Sequence, residues 1–229
     1  LAWTRSYRSG SETEDWGLFG ARWATLFTTS ISVTPRGVVY HDDEGRAVVL
    51  PKLAIGQRHD SRCEGFIIER SSERQFTLFW RSGAQDTFVR GENAWLPHGY
   101  DGINVTEAPQ APLACGRYYL NRSQQADGQG FAVERFPQAQ VGAVVLRVRT
   151  DDGICLEALR APLLAQEIEQ VEMEKAQAER AGIVPGTVST TTSTSGQATT
   201  RTLPRIGQVD QVFENGSRLC HVQYSYAPD

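Results

Sequence analysis

The chain has 229 residues, of which 40% are hydrophobic, and a formal net charge of −4. That apolar content supports a real core, either in one large all-β domain or in two smaller ones, while no stretch approaches the roughly 20 consecutive apolar residues that span a bilayer. The charges are interspersed and no basic stripe tracks along the chain, which argues against nucleic acid as a partner. The opening "LAWTRSYRSG" has basic residues but no apolar core of a signal peptide, and its lack of an initiator Met suggests a chain cut from something longer.

Residues 1–30 set aromatic side chains among turn formers. Gly17-x-x-Gly20-x-x-Trp23 places two flexible points ahead of one large anchor, where glycine permits close backbone approach and Trp buries a large apolar area. A run of hairpins is predicted next. "GVVYHDDEGRAVVLP" reads as strand, acidic turn and strand reversing at Glu44-Gly45, "GFIIERSSERQFTLFW" reverses around Ser71-Ser72, and "RSGAQDTFVRGENAWLP" turns at Gly83. Hairpins at this spacing indicate an antiparallel meander and not βαβ units. Gly99, Gly102, Pro109 and Pro112 then mark a loop.

Order returns at "GAVVLRVRTDDGICLEAL". Val144, Leu146 and Val148 alternate with Arg147 and Arg149, Asp152-Gly153 is a strong hairpin signal, and Ile154, Leu156 and Ala158 resume the inward face. The period then changes. Residues 162–181 are rich in helix formers, begin at Pro162 and stop before Gly182, with Leu164, Ile168 and Val171 as a narrow apolar stripe. "VSTTTSTSGQATTRT" follows, a polar low-complexity tract expected to be a mobile linker. The last 25 residues read as a fresh hairpin turning at Asn215-Gly216. Its second strand is expected to send Cys220, Val222, Tyr224 and Tyr226 one way and Leu219, His221, Gln223 and Ser225 the other.

Reactive chemistry is thin. The densest polar cluster, "RHDSRCEG", holds His59, Asp60, Ser61, Cys63 and Glu64, but adjacent loop residues rarely converge on one substrate atom, and a polar hairpin connection is the simpler reading. Cys220 and His221 are neighbours on a strand and so point to opposite faces, with Cys220 expected toward the core and His221 exposed or stacked on a neighbouring strand. "HDDEGR" lacks the alternating acids and closing Glu of a calcium loop, and Asp151 and Asp152 have no opposing carboxylates. Cys63, Cys115, Cys155 and Cys220 show no paired spacing, so four reduced thiols are expected. Trp3, Trp16, Trp23, Trp80 and Trp95 could form a glycan-binding face, though core packing is the commoner use.

Two stretches carry a family resemblance. Arg5, Tyr7 and Ser9 form an Arg-x-Tyr-x-Ser element; Gly17, Leu18, Gly20 and Trp23 form a Gly-Leu-x-Gly-x-x-Trp element; a strand, acidic turn and strand then run from Val38 to Pro51. This front resembles the opening of the shell region in Rhs proteins, bacterial polymorphic toxins built from tyrosine-aspartate (YD) repeats. The tail "NGSRLCHVQYSYAPD" resembles a first YD repeat, with its terminal Asp displaced to Asp229.

The resemblance implies a mainly β fold of antiparallel hairpins forming part of a rolled, spiralling β-sheet shell, to which the residue pattern adds one helix near 162–181. Resemblance and residue pattern together lead us to expect three regions: a β-rich front domain over 1–160, helix and linker over 161–204, and a first YD-type hairpin over 205–229. The expected role is non-enzymatic: a wall segment that encloses a C-terminal toxin until delivery, with type VI secretion as the expected route. Its partners would be the remaining shell and toxin of the same polypeptide and a secretion spike or adaptor. It would need no cofactor and would occupy the bacterial cytoplasm before export into target cells. Gly17, Gly20, Trp23, Asn215, Gly216, Tyr224 and Tyr226 are its expected structural residues. The alternative is a self-contained β-rich module that binds a glycan or a secretion-apparatus protein.

Overall fold

The computed structural model describes residues 3–7, 16–17, 20–21, 23–90, 116–136, 142–162 and 205–225. The helix expected at 162–181, the Thr/Ser tract and Tyr226 lie outside them. Two short ladders open the chain. β1 (Ser6–Tyr7) pairs with β4 (Trp23–Ala24), and β2 (Trp16–Gly17) pairs with β3 (Gly20–Ala21). A 3₁₀ turn, Leu26–Thr28, follows.

Every larger element is a strand. The flap strands are β5 (Ser30–Thr34), β6 (Gly37–His41) and β7 (Ala47–Leu50). Then come β8 (Arg58–Ser61), β9 (Phe66–Ser72), β10 (Gln75–Trp80), β11 (Gln85–Arg90) and β12 (Gly116–Gln124). The rear strands are β13 (Gly130–Arg135), β14 (Val144–Thr150), β15 (Cys155–Arg160), β16 (Ile206–Val212) and β17 (Arg218–Gln223). Among the described residues they make one open 13-stranded sheet in which β8 to β17 lie side by side in chain order, every pair antiparallel.

Five hairpins close on the same local chemistry. Asp42 and Arg46, Trp80 and Ala84, Gln125 and Gln129, Thr150 and Ile154, and Phe213 and Ser217 bracket a three-residue turn, the first of each pair donating its N–H to the carbonyl of the second. The last turn residue is Gly45, Gly83, Gly128, Gly153 or Gly216, with φ between 76° and 92°. Side-chained residues avoid that region, so glycine selects this turn and its bulge. Ser82, Asp127 and Asn215 stand before three of these glycines and accept the N–H of the residue beyond, at 3.4, 3.0 and 2.9 Å.

The sheet forks at β12. Its first half, Gly116–Tyr119, pairs with β5, while Arg122–Gln124 pairs on toward β13. The flap β5–β6–β7 packs its inner face against β9–β11. The Tyr40 ring lies 5.5 Å from Phe66, 6.0 Å from Phe88 and 6.4 Å from Trp80, and Phe76 meets Tyr118 edge-on at 4.7 Å. Each such fully buried ring contributes about 1.5–3 kcal/mol by burial alone.

Three local readings change. The turn expected at Ser71-Ser72 falls at Glu73-Arg74, because β9 continues through Ser72, which pairs with Gln75. β12 and β13 occupy a span where no strand was expected before Val144. Cys220 is exposed and opposite Asp210, not on the core face. A bulge between Val209 and Asp210 skips His221 in the pairing, and His221 and Val222 then line the same cleft.

Candidate functional site

The first residues and the last hairpin meet. β1 is held by its ladder to β4, Ser6 opposite Ala24 and Tyr7 opposite Trp23, so the segment before it crosses the inner face of β15–β17. Trp3 stacks on Phe27 at 4.8 Å, and Phe27 in turn packs edge-on against Phe131. The Trp3 indole N–H donates to the Tyr224 hydroxyl at 2.9 Å, a contact between residues 221 positions apart. Arg5 places its guanidinium 4.2 Å from the Trp23 ring centroid and 4.8 Å from that of Tyr224. A cation facing two aromatic rings is attracted by both quadrupoles.

Arg135 supports this corner from behind. Its guanidinium donates to the carbonyls of Leu120 and Phe27, both at 2.5 Å, and so fixes the Phe27 backbone on which Trp3 rests. Burial lowers its pKa to about 10, which leaves it charged at neutral pH.

Beneath the crossing segment is a cleft of about 500 Å³. Leu156, Val209 and Val222 form an aliphatic floor, and Gln211 and His221, 3.0 Å apart at Oε1 and Nε2, form one wall. A second cleft, of about 410 Å³, opens where the β6–β7, β8–β9 and β10–β11 turns converge. At its base Asp86 is 7% exposed and accepts the Trp80 indole N–H at 2.6 Å. Burial raises the Asp86 pKa above 3.8, partly offset by hydrogen bonds from Ser123 and Trp80. Nearby, Asp42 accepts from the backbone of Glu44 and Arg46 and from Arg46 Nε, so its carboxylate organises its own turn.

Of the expected structural residues, Trp23 and Tyr224 come together around Arg5. Gly17 and Gly20 face each other in the β2–β3 ladder, and Asn215 and Gly216 form the last turn. Tyr226 lies outside the described residues. Arg5 was visible only as a motif letter, and Trp3 and His221 carried no local sign of joining this cleft. The polar cluster is split: His59 and Asp60 sit on edge strand β8, where Asp60 pairs with Arg81 and Arg62, and Cys63 is exposed in the turn beyond. Among the described residues, no helix is long and apolar enough to cross a membrane.

Residues 1–50 match the family model described as a domain of unknown function, DUF6531. No curated protein matches the chain. The matched span includes Arg5, Gly17, Gly20 and Trp23 and ends with β7 at Leu50.

Proposed function

We propose that this chain is a non-enzymatic wall segment of a bacterial Rhs-type shell, which encloses a C-terminal toxin of the same polypeptide until delivery. The observation that carries this reading is the serial construction of the sheet. Hairpins with one glycine-closed turn follow one another in chain order, each paired with the next, and among the described residues the sheet stays open. Units that bury their faces only against neighbours are suited to walls of extendable length.

The chemistry of the edges supports the same reading. Edge strand β8 is lined by charge, with Arg58 paired to Glu69 and Asp60 to Arg81, the usual protection against stray pairing. β17 follows Arg218 with Leu219, Cys220, His221, Val222 and Gln223, and Leu219 is half-exposed. An unguarded edge fits a strand that receives another hairpin. The family match adds support, since residues 1–50 hold nearly all of the front stretch of the Rhs resemblance. Type VI export, a spike or adaptor partner and passage from the bacterial cytoplasm into target cells belong to this proposal.

Intact mass and terminal sequencing of the native gene product test it. The expected result is a longer protein with further YD hairpins after Asp229 and a cleaved C-terminal piece retained with it. A native product ending near Asp229 would overturn the shell and leave the self-contained binding module. The cleft beside Tyr224 is the observation that favours that second reading.

A further inference from the structure

We propose that the cleft beneath the N-terminal segment binds an apolar amino-acid carboxylate, of the kind presented by the C-terminal residue of a peptide. The inference rests on the cleft's geometry and on neither reading of the parent protein. Arg5 carries the one permanent charge among the described residues that line it. Its partners among the described residues are the Trp23 and Tyr224 rings, which consume none of its five N–H donors. The guanidinium is therefore positioned by its stacking contacts while its hydrogen-bonding capacity stays unused. A planar cation in that state matches a carboxylate through two parallel N–H···O bonds.

The remaining walls select the rest of the ligand. Leu156, Val209 and Val222 offer a floor for a branched aliphatic side chain. Gln211 and His221, paired at 3.0 Å on one wall, offer an amide and an imidazole to the polar backbone of a peptide ligand. A neutral sugar would leave the Arg5 charge without a counterpart, and inorganic phosphate would leave the aliphatic floor uncovered. The volume of about 500 Å³ is within the usual range for small-molecule sites.

The test titrates the full chain with N-acetyl-L-leucine, N-acetyl-L-leucinamide, inorganic phosphate and maltose, following tryptophan fluorescence and the Trp3 indole N–H resonance. The acid is expected to bind at least about tenfold tighter than the amide, as a charged hydrogen-bonded pair implies. Arg5→Gln should abolish that preference and Arg5→Lys should restore part of it. A leucine-terminated peptide with a free carboxylate should compete, and its C-terminally amidated form should not. Equal affinity for acid and amide, tighter binding of phosphate or maltose, or no saturable response to the acid would each overturn the proposal. The acid-to-amide ratio on the unaltered chain decides the matter even where the Arg5 variants fold poorly.

Discussion

The front and rear of the sheet are built from the same hairpin and held by different forces. In front, the flap β5–β7 covers β9–β11 and an aromatic cluster of Tyr40, Phe66, Trp80 and Phe88 fills the space between two layers. Behind, one face of β13–β17 carries a row of ion pairs. Glu134 meets Arg147 at 3.2 Å, Arg147 meets Glu157 at 2.7 Å, and Arg218 reaches both Glu157 at 2.6 Å and Asp210 at 3.5 Å. The opposite face is covered in part by the Trp3–Arg5 crossing. Turn chemistry thus decides that hairpins form, and what they are packed against decides how firmly each is kept.

The comparison breaks most visibly at Phe88. Phe88→Ala removes a fully buried ring from the two-layer region and should cost about 3–5 kcal/mol in denaturant unfolding. A loss below about 1 kcal/mol would mean the flap does not seal the front as described.

Glu157→Gln probes the rear. Its carboxylate side chain is 6% exposed and bridges Arg147 and Arg218, which are 25% and 45% exposed. Removing one partner of a fully buried pair costs about 3–5 kcal/mol, but solvent around both arginines reduces the expected loss to about 1–2 kcal/mol. Added salt should narrow the gap between variant and parent. The Phe88→Ala gap should show no such salt dependence.

Gly153→Ala tests the shared turn. Open space surrounds the position, so φ of +92° is the whole penalty, about 1–2 kcal/mol. Gly216→Ala, at φ +79° and also in open space, should lose a similar amount despite its different sheet neighbours. Unequal losses in equilibrium melts would show that turn and packing are not separable.

The smallest effect concerns Asp86, and it has a sign. Its folded pKa is raised, so the carboxylate is better tolerated protonated, and its contribution to stability is fully present below about pH 3.8 and lost as pH rises through the folded value. Asp86→Asn should therefore be more stable than the parent at neutral pH, with the difference shrinking as pH falls toward 4. Melts across pH 4–8 in which the advantage stayed constant would remove burial of charge as its cause.

Much of the strand order was readable because glycine at a positive-φ turn is a local signal. Gly45, Gly83, Gly153 and Gly216 each announced a hairpin and each closes one. β12 was missed because Arg117, Asn121, Arg122 and Gln124 interrupt its apolar alternation, and the fork at β12 explains such a strand: its two halves have different neighbours. The inward placement expected for Cys220 failed on one extra residue, since a bulge inverts the faces beyond it. The site was legible only in parts. Trp23 and Tyr224 stood out as anchors, but nothing local says that an arginine near the start will lie between them.

The Ala161 N–H donates to the Arg205 carbonyl at 2.6 Å, and β15 and β16 are adjacent. Ala161 and Arg205, which bracket positions 162–204 in the sequence, therefore lie side by side. The register of β15 against β16 is held by their own ladder, from Cys155 opposite Val212 to Arg160 opposite Ile206. Changing a connection's length twofold alters its closure entropy by only about 0.6 kcal/mol. A change in the length of 162–204 that keeps Ala161 beside Arg205 should therefore leave the described β15–β16 pairing in place. A tag or a foreign domain inserted between those two anchors is expected to leave the β15–β16 ladder readable by the same hydrogen bonds.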